Sequence, residues 1–236
     1  MLKYKRILFK VSGESLMGGK GFGHDMNALQ KTCKEIIEIY NLGVEISIVV
    51  GGGNIFRGIQ ASTDIMDRVS ADYMGMLATI MNGIALQSCI EKSGVQTRLV
   101  SAISVNRICE PYIRRKALKH LEDGFINIFV AGLGNPYFTT DTASVLRASE
   151  MDCDVVLKGT KVNGVYDKDP MKFPDAKRYD KLSFDEAISL SVKVMDATAL
   201  TLARDNNIPI LVFKIDEIDA FKKVLNGEGE YTIIDK

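Results

Sequence analysis

Lys10 stands two residues before Ser12-Gly13, at the end of the apolar run Ile7-Leu8-Phe9-Lys10-Val11, where an ammonium can meet an anion held by the turn. Two further apolar runs end alike. Glu45 to Val50 leads into Gly51-Gly52-Gly53-Asn54, and Ile126 to Ala131 leads into Gly132-Leu133-Gly134-Asn135. Without Cβ atoms such turns bring main-chain N–H groups close to a ligand, and in an open α/β sheet they collect at the carboxyl ends of the strands. One turn alone only ends a strand, and a lone strand-end lysine only snorkels. Three turns together describe a single polyanion site. Arg57, four residues after Gly53, adds a fork that clamps phosphate. Asp72 is either a solvated helix carboxylate or an acceptor for ribose or base. The run Gly134-Asn135-Pro136-Tyr137-Phe138-Thr139-Thr140-Asp141 places an aromatic pair, two hydroxyls and a carboxylate before a helix. Its positive end attracts an anion, and Asp141 caps the helix, organises a ligand, or does both.

These residue types suit phosphoryl transfer, which needs positioning and charge neutralisation by lysines, amides and Mg²⁺ rather than a covalent nucleophile. Familiar nucleotide signatures are absent. Gly13 to Gly18 is followed by Gly19, with Lys20 one place late for a Walker A loop, and no turn completes GxGxxG.

Strands are expected at Arg6–Val11, Glu45–Val50, 97–100, 126–131, 154–158 and Ile210–Lys214, with helices at Met26–Tyr40, 67–93, 111–121, 142–151 and Ala197–Asn206. This alternation implies a largely parallel sheet covered on both faces. Met74, Leu77, Ala78, Met81, Ala85 and Ile90 recur at helical spacing and read as packing. Pro111 suits a first helical turn, and Thr140 or Asp141 suits the cap of the fourth helix. The turn-rich stretch 159–183 reads as an excursion from the sheet, and the half beyond it as a second lobe bordering a cleft.

Of 236 residues, 46% are hydrophobic, enough for a sizeable core, and 30 Lys and Arg balance 30 Asp and Glu, so no overall field draws nucleic acid or an anionic membrane. Cys33, Cys89, Cys109 and Cys153 form no CxxC pair, which argues against structural zinc and for reduced thiols in the cytoplasm. No signal-peptide core or apolar run of membrane-span length is expected.

Taken together, Phe9-Lys10-Val11-Ser12-Gly13-Glu14, Val50 to Gly58, Asp72 to Thr79, Gly134 to Asp141 and Val194-Met195-Asp196 resemble the bacterial uridylate (UMP) kinases of the amino acid kinase superfamily, in order and along nearly the whole chain. The stretch Glu110 to Lys116 is similar to the version in low-GC Gram-positive bacteria. The resemblance implies an αβα sandwich with a largely parallel sheet of about eight strands, one domain over 1–236, with an acceptor-side lobe near 1–155 and an ATP-side lobe near 156–236. It implies ATP-dependent, Mg²⁺-assisted transfer to UMP. Lys10, Val11, Ser12, Gly13, Gly53 and Arg57 would surround the ATP phosphates, and Thr160, Tyr166 and Asp169 would border its adenosine. Gly52, Asp72, Leu133, Gly134, Asn135, Pro136, Tyr137, Phe138, Thr139 and Thr140 would hold UMP. Lys10 and Lys158 would stabilise transferred charge, with Asp141 and Asp196 organising lysines and hydrated Mg²⁺, and no direct metal ligand is assigned. A homohexamer, GTP activation and UTP inhibition are implied, with Gly18, Gly19, Lys20, Gly21, Phe22 and Gly23 in the effector segment.

Two departures accompany the resemblance. Leu133 replaces a threonine of many relatives, and Gln87 and Glu91 stand where some GTP-activated relatives carry Arg and His. The rival readings are a superfamily member acting on a carbamate or carboxylate, and a uridine-nucleotide sensor.

Overall fold

The computed structural model describes residues 3–56, 66–192, 194–215 and 219–236. Strands β1 (Arg6–Val11), β2 (Glu45–Val50), β3 (Thr97–Ser101), β4 (Glu110–Pro111), β5 (Ile126–Val130), β6 (Val155–Thr160), β9 (Lys181–Ser183), β10 (Ile210–Lys214) and β11 (Tyr231–Asp235) form one sheet, while β7 (Val165–Tyr166) and β8 (Arg178–Tyr179) pair separately. The sheet order is β4-β3-β5-β2-β1-β6-β10-β11-β9, and every pairing is parallel except β10 with β11. The described residues thus give nine strands where about eight were expected. The short edge strands β4 and β9 carry too little apolar sequence to announce themselves. The inner strands β2 and β5 are buried along almost their whole length, as continuous Ile/Val runs between two helical layers must be.

Among the described residues the helices are α1 (Gly13–Met17), α2 (Met26–Tyr40), α3 (Arg68–Glu91), α4 (Arg114–Glu122), α5 (Thr140–Glu150), α6 (Phe184–Ser189), α7 (Ala197–Asn206) and α8 (Ala220–Leu225). Asp25 starts α2 by accepting from the N–H groups of Asn27 and Ala28, at 2.9 and 3.0 Å, and its Leu29, Cys33, Ile36 and Ile39 turn inward. Pro111 lies in β4 rather than a helical turn, and α4 begins three residues later. Thr139, not Thr140 or Asp141, caps α5, because its extended backbone aims Oγ1 at the N–H groups of Asp141 and Thr142.

α3 corrects two expectations. It is long and apolar enough to cross a membrane by length and composition alone, yet its inner side packs on β3 and β5. A Cβ on Gly83 would stand 2.6 Å from Leu99 Cδ1, so glycine there lets the helix seat directly on the sheet. The apolar spacing also splits between faces. Ala78 and Ile90 are buried with Met76, Ile80 and Leu86, whereas Met74, Leu77 and Met81 join Tyr73 and Ile84 on an exposed stripe.

Candidate active site

β5, β2, β1 and β6 are neighbours, so the turns at Gly132, Gly51 and Gly13 and the end of β6 line up along one carboxyl edge. The strand order also reverses there: β2 lies on one side of β1 and β6 on the other, which opens a crevice. Lys10 and Lys158 are register partners, so their side chains leave the same face of the sheet. Between them α5 delivers Asp141, whose Oδ1 lies 3.1 Å from Lys10 Nζ and whose Oδ2 accepts from Lys158 Nζ at 2.8 Å. Lys158 also donates to the Val194 carbonyl. The three charged groups sum to +1 in a nearly enclosed space.

Burial disfavours the Asp141 carboxylate, but Lys10 and Lys158 outweigh it and hold the group below the usual carboxylate range. Burial, reinforced by repulsion from Lys10, pulls Lys158 down to about 8, with Asp141 opposing both. Activity that needs charged Lys158 should therefore fall as pH rises through about 8. Bound polyphosphate favours the charged form, so a pH series should show that alkaline limb in kcat/KM and shift it upward in kcat. A flat kcat/KM up to pH 9.5 or so would remove Lys158 from the charge account.

Asp196 favours the charged form of Lys158 and has a second task. It caps α7 through the Ala199 N–H at 2.7 Å and accepts from the hydroxyls of Thr139 and Thr142, tying the start of α5 to α7. It therefore acts on Asp141 through the helix that carries it. Among the described residues no group of three or more His, Cys, Asp or Glu side chains could hold a metal ion. Asp141 Oδ1 is buried with the Lys10 ammonium against it at 3.1 Å, so a hydrated cation carried by phosphates, which is how Mg²⁺ is commonly held, would meet a carboxylate already shared by two lysines.

A cavity of about 130 Å³ lies on the β2–β5 side, lined by Gly52, Asp72, Leu133, Asn135, Phe138, Thr139 and Thr140 among others. Gly134, Pro136 and Tyr137 shape the loop without lining it, and Tyr137 is exposed with φ 72°. Asp72 accepts from Arg68 at 2.8 Å and from the Tyr137 N–H at 2.8 Å, so it anchors that loop. At the rear, Thr79 Oγ1 accepts from Ala131 N–H at 2.7 Å and fixes the left-handed residue that follows β5.

On the other side a pocket of about 760 Å³ is lined by Lys158, Thr160, Tyr166, Asp169 and the 162–194 excursion. Lys10, Ser12, Gly18, Lys158 and Thr160 line a third recess of about 580 Å³. Ser12 caps α1, Val11 O accepts from Gly51 N–H at 2.9 Å, and Gly53 faces open space. Arg57 lies outside the described residues. In the 18–23 segment, Lys20 pairs with Asp25 at 3.7 Å and Phe22 is exposed. Gln87 and Glu91 both bond to Thr97 Oγ1, at 3.0 and 2.8 Å.

Gly52 packs against α3: an added Cβ would lie 2.8 Å from Gly75 O and 2.9 Å from Ala78 Cβ. Gly52→Ala should push the turn outward, lowering stability by about 1–3 kcal/mol, with a raised KM on the acceptor side in steady-state assays.

Sequence reasoning missed Arg68, His24 and Asn82 and used Thr79 and Asn54 only as parts of motifs. Asn82 carried a signal, a lone amide within the apolar stretch Met81 to Leu86.

The amino acid kinase family model matches residues 5–214. The chain is 56% identical to the uridylate kinase of Roseobacter denitrificans over 229 residues, covering 97% of this chain and 95% of that one. It is 56% identical to the uridylate kinase of Wolbachia pipientis over 233 residues, covering 99% and 94%. The crystal structure of the UMP kinase from Bacillus anthracis superposes with a TM-score of 0.95 at 41% identity, covering 98% and 96%.

Proposed function

The chain belongs to the amino acid kinase family, and we propose that it is the uridylate kinase of its cell, moving the γ-phosphoryl group of ATP to UMP to give ADP and UDP for pyrimidine nucleotide synthesis. It is a nucleoside monophosphate kinase. The observation that carries the reading is the Lys10–Asp141–Lys158 cluster with a small pocket on one side and a large one on the other.

In the proposed mechanism ATP takes the large pocket, with adenosine against Thr160, Tyr166 and Asp169, and phosphates toward Lys10, Ser12, Gly13, Gly53 and Arg57. UMP takes the small pocket, held by Gly52, Asp72 and the 133–140 loop. A UMP phosphate oxygen bonds to the γ-phosphorus in line while the bond to the β–γ bridging oxygen breaks, and that oxygen leaves with ADP. Lys10 and Lys158 neutralise the equatorial oxygens, and Asp141 keeps the lysines side by side without cancelling their net charge. Asp196 holds α5 in place. Mg²⁺ would neutralise the ATP phosphates, with Asp141 as the carboxylate facing its water shell.

Several finer features belong to this proposal. The small pocket is lined by residues between 52 and 140 and the large one by residues between 158 and 194, which supports lobes dividing near 155, with the donor phosphates reaching across to Lys10–Gly13. The exposed stripe of Tyr73, Leu77, Met81 and Ile84 supports a homo-oligomer, with a hexamer as the family expectation. Four free cysteines support the cytoplasm. UTP inhibition is kept as proposed, with Gly18–Gly23 as effector segment. GTP activation should be weak, because Lys92 is the one cation among Ile84, Gln87, Ser88, Glu91 and Lys92 of the shallow recess there.

A coupled ADP-release assay with UMP, CMP, carbamate, aspartate and glutamate tests the reading. UMP should dominate. Turnover of a carboxylate or carbamate without UMP would overturn it, and nucleotide binding without any turnover would favour a sensor.

A further inference from the structure

Asn82 is fully buried in the middle of α3, and all of its side-chain hydrogen-bonding atoms are engaged. Its Nδ2 donates to the Gly51 carbonyl at 2.6 Å and to Asn54 Oδ1 at 2.7 Å. Asn54 returns a bond from its own Nδ2 to Asn82 Oδ1 at 3.1 Å and donates to the Gly23 carbonyl at 2.8 Å. Main-chain carbonyls only accept, so Gly51 and Gly23 fix which end of each amide is nitrogen. Asn82 Oδ1 is therefore an acceptor, and His24 Nε2, 2.7 Å away, must be the donor. A main-chain bond from Gly23 N–H to Asn54 O at 2.9 Å closes the clamp.

This network touches both glycine turns of the donor site. A Cβ on Gly13 would overlap Asn54 Oδ1 and lie 2.9 Å from Gly53 N, so the Asn54 amide is wedged where the two turns meet. An apolar side chain at position 82 would strand the Gly51 carbonyl and the buried Asn54 amide without their partner, whereas the fully paired amide network selects one geometry. The geometry selected is that of Gly51 to Asn54.

We infer that Asn82 is a positioning residue for the donor phosphates, and that His24 is the arm through which the surface segment 18–24 sets the shape of the Gly51–Asn54 turn. The inference rests on the proposed assignment of that turn to ATP phosphates. Segment and turn form one mechanical unit: displacing His24 takes one of two donors from Asn82 Oδ1, loosens the reciprocal amide pair and lets the turn drift. Gly52 stays seated against α3, so UMP should feel the change less.

The test compares His24→Ala with His24→Gln, whose amide nitrogen reaches about as far as Nε2. Binding of a non-hydrolysable ATP analogue by calorimetry, the KM values for ATP and UMP, and the melting temperature are measured for each. His24→Ala should weaken the analogue and raise KM for ATP about fivefold, the effect of one net hydrogen bond, with the KM for UMP and melting temperature near wild type. His24→Gln should restore both ATP constants. Unchanged ATP constants in His24→Ala, equal losses in both variants, or a loss explained by a lowered melting temperature would overturn the inference. Wild type failing to phosphorylate UMP would remove the proposed reaction instead, while calorimetry with the analogue still reads the relay. Asn82→Ala, whose cavity can prevent folding, is not needed for the decision.

Discussion

Lys10→Ala should lower kcat about a thousandfold while the dissociation constant for UMP stays within about twofold of wild type. The side chain faces the cluster rather than the acceptor cavity, so ground-state UMP binding does not depend on it. Charge on the transferring group does. The same variant makes a second, independent forecast. Lys10 is one of the groups that hold Lys158 down near 8, so its removal should raise the Lys158 pKa and move the alkaline limb of the residual activity to higher pH. A simple folding defect would lower activity without moving that limb. Calorimetry with UMP, single-turnover rates and a pH series separate the two.

Asp141→Asn should be the more damaging change to the fold. Its carboxylate is the shared counter-ion of two lysines whose side chains, like its own, are less than a fifth exposed. Removing the charge leaves two ammonium groups facing each other, and breaking such a buried pair costs about 3–5 kcal/mol. Lys158 would relieve part of this by losing its proton, which costs the site a cation and activity together. Urea denaturation and kcat should therefore fall in the same variant.

The pH dependence of stability has a definite sign. The depressed Asp141 pKa contributes stability above the ordinary carboxylate range, lost as pH falls through the native value, and Asp141→Asn should lack that acid limb. Lys158, lowered from 10.5 to about 8, is protonated more readily in the unfolded chain, so its contribution rises with pH between those values.

Much of the site was legible because its parts lie next to strand ends. Three apolar runs, each closing on glycine, located three neighbouring turns, and Thr139-Thr140-Asp141 placed the start of α5 within two residues. Met26–Tyr40 and Ala197–Asn206 match the expected bounds to the residue, and the structure shows Asp25 and Asp196 capping them. What escaped depends on contacts between distant segments. Lys10 and Lys158 become partners only through the β1–β6 register, and Asp196 reaches Thr139 and Thr142 only because α5 and α7 pack together. The α3 spacing gave an apolar helix but not which side meets the sheet, since both sides are apolar and Gly83 decides the seating. Short elements such as β4 and β9 owe their form to the neighbours they pair with rather than to local preference.

The central claim is that Lys10 and Lys158, held by Asp141, face the group that moves between two nucleotides. A crystal structure with UMP and a non-hydrolysable ATP analogue tests it most directly. The account predicts the terminal phosphate of the analogue within hydrogen-bond reach of both ammonium groups, with the UMP phosphate opposite it beside Gly52 and Thr140. Polyphosphate density elsewhere on the chain, or Lys10 turned away from it, would contradict the account.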